Sequence, residues 1–238
     1  MKAMVLAAGR GERLRPITDT LPKPLVRVGG KPLIVYHLEA LARAGVRDVV
    51  INLSWLADKI RAALRDGSEY GVRITYTDEG PVPLETGGGI FNAIQHLGPG
   101  PFLVVNGDTF TDIDFGALLA RADADTRSGA LARIVLVPNP TQHPRGDFGL
   151  EGGQVVERQT GRLTYSGVGV YRPEFFEGCT AGKFPLLPLL QRAIAAGRLR
   201  GQLHEGEWCD VGTPQRLAEL DERVGGASHA TRGPSRKG

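Results

Sequence analysis

The chain begins with an apolar segment that leads directly into glycines and cations. Residues 2–8 have the composition of a buried strand, and Gly9 and Gly11 follow it. Because glycine has no Cβ, a turn built from it can wrap closely around phosphate oxygens. Four cations accompany this turn, namely Arg10, Arg13, Arg15 and Lys23. A glycine turn after a strand also serves simply to redirect the chain, but the added cations favour a site for a triphosphate.

Two familiar phosphate-binding motifs are absent from this turn. It does not contain the full G-x-x-x-x-G-K-[ST] of a P-loop, and Leu14 stands where the dinucleotide fingerprint G-x-G-x-x-G requires its third glycine. The sequence therefore favours neither a P-loop NTPase nor a dinucleotide-dependent oxidoreductase.

Two carboxylates stand at the ends of short apolar strand patterns. Asp108 follows residues 102–106, and Asp210 lies within residues 208–211, just before a helix with Pro214 at its first position. Both would suit Mg²⁺, which prefers oxygen ligands and is usually held by one or two carboxylates plus substrate phosphates. From spacing alone a turn or cap role is equally open, since Asp is common after strands.

A glycine-rich segment precedes the third helix pattern. It comprises Glu79-Gly80 and the run Glu85-Thr86-Gly87-Gly88-Gly89. Three consecutive glycines predict a loop that a flat ligand can approach closely, so that backbone N–H and C=O groups read the edge of a base. The alternative is a flexible loop in which Thr86 caps the helix.

Strand and helix patterns alternate along the chain. This predicts an α/β fold of the Rossmann-like type, a mostly parallel sheet with helices on both faces. The strand patterns cover residues 3–8, 48–52, 72–76, 102–106, 131–137, 199–204 and 208–211. The helix patterns cover residues 33–44, 56–64, 89–97, 115–122, 186–196 and 214–223. Ligands of such sheets bind at the carboxyl ends of the strands, where the first turn and Asp108 are expected to meet.

The second half of the chain adds two further features. Short alternating segments between residues 139 and 171 predict a small antiparallel insertion that forms a second wall of the site. Residues 1–224 are expected to form a single domain. Residues 225–238 are predicted to be a disordered tail, because Gly, Ser, Ala and Arg predominate there without apolar periodicity.

Composition limits the partners of the chain. The 238 residues are 41% hydrophobic and 23% charged, as in ordinary globular proteins, and the formal net charge is only +3. Much of the excess charge lies in the first turn and the tail, so no basic face indicates nucleic acid. No apolar run approaches the roughly 18 residues of a membrane span, and the N-terminus begins directly with a strand. We therefore expect a cytoplasmic chain that binds no membrane.

Cysteines and histidines show no functional spacing. Cys179 and Cys209 form no C-x-x-C pair, which indicates reduced thiols that pack as small hydrophobic groups. The five histidines are scattered, which argues against a zinc site or a catalytic dyad.

The first motif resembles the signature of sugar-1-phosphate nucleotidyltransferases, L-A-A-G-x-G-x-R-L-x-P-L-T followed by P-K-P-L. Residues 6–18 and 22–25 match it except at Ile17, and the resemblance extends from Lys2 to about Glu219. It implies the nucleotide-diphospho-sugar transferase fold and a reaction that joins a nucleoside triphosphate to a sugar-1-phosphate and releases pyrophosphate. It also implies Mg²⁺ as the cofactor, with Asp108 and Asp210 as its ligands, and no partner protein.

The same resemblance implies roles for individual residues. Arg13 and Lys23 would be catalytic, because they would stabilise charge on the phosphates. Nucleotide binding is expected from Ala8, Gly9, Gly11, Glu12, Arg13, Lys23, Gly80, Glu85, Thr86 and Gly87. Some relatives of this fold are non-catalytic nucleotide-sugar sensors, but the intact Arg13, Lys23, Asp108 and Asp210 argue against that alternative.

Several segments are similar to one subgroup, the bacterial N-acetylmuramate-1-phosphate uridylyltransferases of cell-wall recycling. These segments are residues 85–90, 143–148, 166–170 and 208–213. The similarity implies UTP and N-acetylmuramate-1-phosphate as substrates, with sugar contacts from Asn106, Asp147, Ser166 and Gly167. The alternatives are a mannose-1-phosphate guanylyltransferase and a glucose-1-phosphate thymidylyl- or uridylyltransferase.

Some of these residues also have a purely structural interpretation. Asp147 suits a hairpin as well as a sugar contact, and the glycine at position 167 suits a turn. The pair Glu157-Arg158 resembles a substrate-contacting Glu-Lys pair in other branches of the family, and its role here stays open.

Overall fold

The computed structural model describes residues 1–230, and a mixed sheet of nine strands forms its centre. The strands are β1 (Lys2–Leu6), β2 (Arg27–Val28), β3 (Lys31–Pro32), β4 (Asp48–Leu53), β5 (Arg73–Asp78), β6 (Phe102–Asn106), β7 (Thr109–Thr111), β8 (Ala132–Val137), β9 (Gly149–Glu151), β10 (Gln154–Val156), β11 (Thr164–Tyr171), β12 (Leu199–Leu203) and β13 (Trp208–Asp210). The order in the main sheet is β5-β4-β1-β6-β11-β8-β12-β10-β9. Two small pairs, β13-β7 and β2-β3, are separate from it.

The main sheet is mostly parallel, as the sequence predicts. The neighbouring strands β5, β4, β1 and β6 are parallel, with Ala3 of β1 paired to Val49 of β4 and to Leu103 of β6. β11 is antiparallel to both β6 and β8, and β8 is parallel to β12. The central strands β1 and β6 are apolar throughout most of their length because both of their faces are covered.

Helices cover both faces of the sheet. The α-helices described are α1 (Ile17–Thr20), α2 (Leu33–Arg43), α3 (Ala57–Leu64), α4 (Glu85–Leu97), α5 (Phe115–Arg127), α6 (Leu187–Ala195) and α7 (Pro214–Ala230). Ala3 and Val5 of β1 pack in the core beneath α2, α3 and α5, whereas Met4 packs in the opposite core beneath α4 and α6. Within residues 1–230, no helix combines the length and the apolarity that crossing a membrane requires.

A third, smaller core joins the turn after β1 to the end of the chain. Leu14 from that turn and Leu220 from α7 are both buried in it. The backbone N–H of Gly29 also donates to Asp221 Oδ1 of α7 at 2.7 Å. The C-terminal helix therefore braces the segment that follows β1.

The last helix is longer than the sequence predicts. α7 continues to Ala230, past Arg223, where the pattern predicts its end, and past Gly225, where the pattern predicts a disordered tail. Residues 225–230, which the sequence analysis assigns to the tail, are thus part of α7 in the structure. A helix that has already formed gains one hydrogen bond for each added residue, so it can continue without apolar periodicity. The rest of the predicted tail, residues 231–238, lies outside the described residues.

The antiparallel segment between residues 139 and 171 belongs to the main sheet. β9 and β10 form a hairpin at one edge, next to β12, and β11 lies in the middle of the sheet between β6 and β8. Residues 166–171 are buried, which explains why β11 takes a central position. The second wall of the site is therefore continuous with the sheet that carries the first wall.

Candidate active site

A cleft with three connected parts lies at the carboxyl ends of β1 and β6. The turn pocket is lined by the segment after β1 and by Lys23, Asn52, Glu79, Glu85 and Thr86. The carboxylate pocket is lined by Arg13, Asp108, Asp210, His143, Tyr165 and Trp208, among others. The apolar pocket is lined by Asp147, Phe148, Tyr165, Leu186, Leu187 and Leu190, together with Glu85 and Thr86. Asn106 borders all three parts, which makes them one continuous site.

The turn after β1 presents backbone rather than side chains to the turn pocket. A Cβ at Gly9 would meet no atom within 4 Å, so this position is open to the cleft. Gly11 has φ +68°, and a Cβ there would lie 3.0 Å from Thr18 and 3.1 Å from the Lys23 side chain. The Thr18 hydroxyl also donates to the Gly11 carbonyl at 2.8 Å. Gly11 is thus required both for its conformation and for the close packing of Lys23.

A hydrogen-bonded network fixes the opposite side of the turn pocket. Asn52 Oδ1 accepts the Ala7 N–H at 2.8 Å, and Asn52 Nδ2 donates to Glu79 Oε1 at 2.6 Å. The other carboxylate oxygen, Glu79 Oε2, accepts the Leu84 N–H at 2.7 Å. The network ties β1, β4 and the start of α4 together. Sequence reasoning missed Asn52, although it ends an apolar strand just as Asn106 does.

The two predicted metal ligands meet because β13 pairs with β7. In this antiparallel ladder Asp210 lies opposite Thr109, so Asp108, one residue earlier, is adjacent to Asp210. The buried Lys23 lies between them, with Nζ 2.5 Å from Asp108 Oδ2 and 3.6 Å from Asp210 Oδ1. One ammonium group therefore interacts with both carboxylates.

Asp210 also interacts with two arginines. Arg216 Nη1 lies 3.0 Å from Asp210 Oδ2, and the more exposed Arg13 lies 3.7 Å from the same oxygen. A Cβ at Gly212 would lie 2.3 Å from the Arg216 guanidinium, so glycine is needed for Arg216 to reach Asp210. Sequence reasoning missed Arg216; the available signal was a cation in the first turn of the helix that follows Asp210.

The other two predicted cations point elsewhere. The Arg10 guanidinium stacks over the Trp55 ring, 4.5 Å from its centroid, and Arg15 pairs with Asp19 at 3.2 Å. Arg13 and Lys23 are therefore the two cations of the first motif that reach the carboxylates.

A buried histidine supports the strand next to Asp108. His37 Nε2 lies 2.7 Å from the Thr109 carbonyl oxygen, which can only accept a hydrogen bond, so Nε2 is the protonated nitrogen. Burial lowers the pKa of His37 to about 4, and the ring is neutral at pH 7. His37 thus positions β7 without adding a charge to the cleft.

The glycines at 87–89 are not in an open loop, which corrects the sequence interpretation. α4 begins at Glu85, so these glycines form its first turns and are buried, and Thr86 is inside the helix rather than its cap. A Cβ at Gly87 would lie 2.6 Å from Phe184, and one at Gly88 would lie 2.2 Å from the Gly182 carbonyl oxygen. Gly87 and Gly88 lack side chains because residues 182–185 pack directly against the helix, whereas a Cβ at Gly89 would lie 2.5 Å from Glu79 Oε1.

Replacing Gly88 by alanine should therefore lower the free energy of unfolding, by about 1–3 kcal/mol as for other overpacked sites. Gly225 is the matched control, because it is also helical but a Cβ there would meet nothing within 4 Å. Gly225→Ala should raise stability by about 0.5–1 kcal/mol through its higher helix propensity. Urea unfolding curves measure both changes, and equal shifts would contradict the packing explanation.

The predicted nucleotide-binding residues are only partly brought together. Six of them line the turn pocket: Ala8, Gly9, Gly11, Lys23, Glu85 and Thr86. Arg13 lines the carboxylate pocket, and Glu12 is exposed. Gly80 is in a turn held by Asp78 and Ser54, and Gly87 is buried against Phe184.

Three of the four predicted sugar-binding residues line the carboxylate or apolar pocket, and most of their polar atoms are already bonded within the protein. Ser166 Oγ donates to the Val135 carbonyl at 2.8 Å and accepts the Val168 N–H at 3.2 Å. Asp147 Oδ2 accepts the Tyr165 N–H at 2.8 Å, and Oδ1 lies 3.0 Å from His143 Nε2.

Two of the four predicted sugar-binding residues, Asn106 and Gly167, contact each other. Gly167 has φ +79°, and a Cβ there would lie 2.4 Å from Asn106 Nδ2. The absence of a side chain at Gly167 therefore leaves space for the Asn106 amide at the centre of the cleft. Within residues 1–230 the Asn106 amide group has no hydrogen-bond partner, so it is available to a ligand.

The Glu157-Arg158 pair is engaged outside the cleft lining. Arg158 lies 3.5 Å from Glu151, and Glu157 lies 4.0 Å from Arg162. The Arg158 side chain also covers Gly149, where a Cβ would lie 2.1 Å from it. Both residues are thus part of the β9-β10 region, and neither borders the three pockets.

The cleft is suited to anionic substrates with several phosphates. The first turn offers open backbone next to Lys23, and Arg13 stands at the entrance with most of its side chain exposed. The Ser166 hydroxyl is bonded to backbone groups and is not placed as an activated nucleophile. This arrangement is suited to aligning phosphates and stabilising their charge.

Comparison with known proteins gives matches over nearly the whole chain. The nucleotidyl transferase family model matches residues 2–156. An N-acetylmuramate alpha-1-phosphate uridylyltransferase of Neisseria meningitidis is 50% identical over 94% of this chain and 99% of the relative. A protein of the same name from Caulobacter vibrioides is 38% identical over 93% of this chain and 96% of the relative. A solved structure from Bacillus anthracis, described as a glucose-1-phosphate thymidylyltransferase, covers 100% of this chain and 98% of its own, with a TM-score of 0.83 and 20% identity.

Proposed function

The chain belongs to the nucleotidyl transferase family, and from this premise we propose that it transfers a uridylyl group from UTP to N-acetylmuramate α-1-phosphate. The products would be UDP-N-acetylmuramate and pyrophosphate, a reaction of cell-wall recycling. The two relatives that share 50% and 38% of its residues carry this activity in their names, which supports the choice of base and sugar.

One observation carries the chemical part of the proposal. Asp108, Asp210 and Lys23 converge where the turn pocket meets the carboxylate pocket, with Lys23 Nζ within 3.6 Å of both acids. A triphosphate in the turn pocket and a sugar phosphate in the carboxylate pocket would therefore both reach this cluster. This convergence supports our assignment of the nucleotidyl transfer to the cluster.

The reaction is a direct displacement. An oxygen of the sugar phosphate forms a bond to the α-phosphorus of UTP, and the bond from this phosphorus to the bridging oxygen breaks, so that pyrophosphate leaves. The attacking phosphate is already an anion, so no general base is required. Catalysis then depends on alignment and on stabilising the developing charge. Lys23 would contact the α-phosphate or the attacking phosphate, and Arg13 the β- and γ-phosphates.

Members of this family generally use a divalent metal ion. Asp108 and Asp210 fit Mg²⁺ chemically, because two carboxylates that approach one cation leave the remaining coordination positions to phosphate oxygens and water. In residues 1–230 no third acidic, histidine or cysteine side chain joins them to complete a protein-only cage. Mg²⁺ bound there would neutralise charge at the reacting phosphate. Arg216 would keep the Asp210 carboxylate oriented, since it holds Oδ2 at 3.0 Å.

Arg13 and Arg10 should differ in their effect on triphosphate binding. Arg13→Ala should raise the KM for UTP about 10- to 100-fold, the value of a lost charge-assisted hydrogen bond. Arg10→Ala is the matched control, because its guanidinium is held over Trp55, and it should change the KM much less. Steady-state kinetics at saturating sugar phosphate measure both, and equal effects would show that the turn is not used as proposed.

Release of pyrophosphate from UTP tests the proposed function. The purified protein should release it only when N-acetylmuramate α-1-phosphate is also present, and EDTA should stop the release. A non-catalytic sensor would bind UDP-N-acetylmuramate in a calorimeter but release no pyrophosphate. That result would reject the enzyme.

A further inference from the structure

Acidic side chains outnumber basic ones in the lining of the sugar-facing part of the cleft. Four acidic residues line the described carboxylate and apolar pockets, namely Glu85, Asp108, Asp147 and Asp210. Only two described residues of this lining can carry a positive charge, Arg13 and His143. Arg13 lies beside Asp210 at 3.7 Å, on the side of the phosphates. Of these two residues, His143 therefore remains for the sugar.

The proposed substrate makes such a group necessary. N-acetylmuramate differs from N-acetylglucosamine by a lactyl ether, which ends in a carboxylate. Three of the four acids are already paired with cations, Asp108 and Asp210 with Lys23 and Glu85 with Lys183. A carboxylate brought into the cleft still loses its hydration, and this loss requires a compensating donor. The enzyme must therefore supply a hydrogen-bond donor or a cation at the sugar-facing end of the cleft.

Hydrogen bonds hold His143 in a defined orientation. Its Nε2 lies 3.0 Å from Asp147 Oδ1, and Asp147 is itself fixed through Oδ2 to the Tyr165 N–H at 2.8 Å. The turn that carries the ring is closed by the hydrogen bond from the His143 N–H to the Pro140 carbonyl at 2.9 Å. Among residues 1–230 the second ring nitrogen, Nδ1, has no partner. The imidazole is thus oriented at one nitrogen and free to donate at the other when that nitrogen carries a proton.

We propose that His143 recognises the lactyl carboxylate of N-acetylmuramate α-1-phosphate through Nδ1, and that Asp147 is the positioning residue that holds the ring. This inference rests on the proposed function and extends it to the residue that selects the sugar. It also revises the role of Asp147, whose two carboxylate oxygens are both used within the protein.

The test compares two sugar phosphates that differ only in the lactyl group. With UTP saturating, kcat/KM is measured for N-acetylmuramate α-1-phosphate and for N-acetylglucosamine α-1-phosphate, in the wild type, His143→Ala, His143→Asn and Asp147→Asn. His143→Ala should lower kcat/KM for the first sugar about 10- to 100-fold, as expected for a lost hydrogen bond to a charge. For the second sugar the change should stay within about threefold.

The other variants sharpen the result. His143→Asn keeps a donor near the position of Nδ1 and should recover part of the lost preference, and Asp147→Asn should reduce the preference in the same direction. Thr141→Ala, in the same turn but outside the lining of the three pockets, is the matched control and should leave the preference unchanged. If thermal melting shows His143→Ala to be unfolded, His143→Asn and Asp147→Asn decide by the same ratio.

Equal losses for both sugars, or an unchanged ratio, would overturn the role of His143. Failure of the proposed function is visible separately in the wild type. A wild-type enzyme that prefers N-acetylglucosamine α-1-phosphate would reject both the proposed substrate and, with it, this recognition.

Discussion

Asp210→Asn should lower turnover by about 100-fold or more at saturating Mg²⁺, since removal of one preorganised electrostatic group commonly costs this much. Asp210 stands at the centre of the charged cluster, with Arg216 at 3.0 Å, Lys23 at 3.6 Å and Arg13 at 3.7 Å. The amide keeps the shape of the side chain but loses the charge that would bind a metal ion. The loss should therefore appear in kcat and in the Mg²⁺ concentration that gives half-maximal rate.

Asp112→Asn is the control for this substitution. Asp112 follows β7 but its carboxylate is exposed and bonds His204 at 2.8 Å, away from the cleft. The Asp112→Asn enzyme should retain nearly the wild-type rate. An Asp210→Asn enzyme that keeps more than about a tenth of wild-type turnover would argue against Asp210 as a metal ligand, given the size of the effect expected of such a group.

Lys23→Met should have an effect of similar size for a different reason. The Lys23 side chain is only 7% exposed, and its ammonium group lies between Asp108 and Asp210. Methionine keeps the apolar stem but leaves two neighbouring carboxylates without this cation, and it removes the proposed contact to the reacting phosphate. We expect kcat to fall about 100- to 1,000-fold, as for the loss of one group that stabilises a transition-state oxyanion.

Lys31→Met provides the comparison. Lys31 also pairs with an acid, Glu39 at 2.6 Å, but both side chains are more than a third exposed and lie outside the cleft. Such surface pairs contribute little to stability, about 0–1 kcal/mol, so this variant should behave as wild type. A Lys23→Met enzyme with a kcat within about threefold of wild type would exclude Lys23 from the chemical step.

The parts of the fold that sequence predicts well are those set by local patterns. The apolar strands β1 and β6 and the amphipathic helices α2 and α3 follow from the periodicity of their residues. The first motif also carries enough specific residues to indicate a triphosphate as its ligand, because few kinds of site need both a glycine turn and several cations. Local pattern places the end of the last helix at Arg223, whereas α7 continues to Ala230 without an apolar stripe.

The rest depended on contacts between distant segments. Asp108 and Asp210 approach each other through the β13-β7 ladder, and no local pattern reveals that pairing across about a hundred residues. The positions of the two acids at strand ends left a shared Mg²⁺ and a turn or cap role equally open, and the family resemblance favoured the shared metal ion. Arg216 was missed for the same reason, since its role depends on Asp210 and on the space that Gly212 leaves.

The glycines at 87–89 show a second limit. Glycine is selected wherever a Cβ does not fit, and the sequence does not reveal whether the excluded neighbour is a ligand or another part of the chain. Here the neighbour of Gly87 and Gly88 is the segment 182–185, about 95 residues further along. Glu85 and Thr86 of the predicted base-reading loop do line the turn pocket, but packing within the chain accounts for Gly87 and Gly88.

A competition between substrates tests the central proposal most directly. The enzyme is incubated with Mg²⁺, equimolar UTP, GTP and dTTP, and equimolar α-1-phosphates of N-acetylmuramate, N-acetylglucosamine, glucose and mannose, and the nucleotide sugars formed at early times are identified by mass spectrometry. We expect UDP-N-acetylmuramate as the main product, because the cleft must satisfy both the base and the acidic sugar before the phosphates align. GDP-mannose or dTDP-glucose as the main product would contradict it.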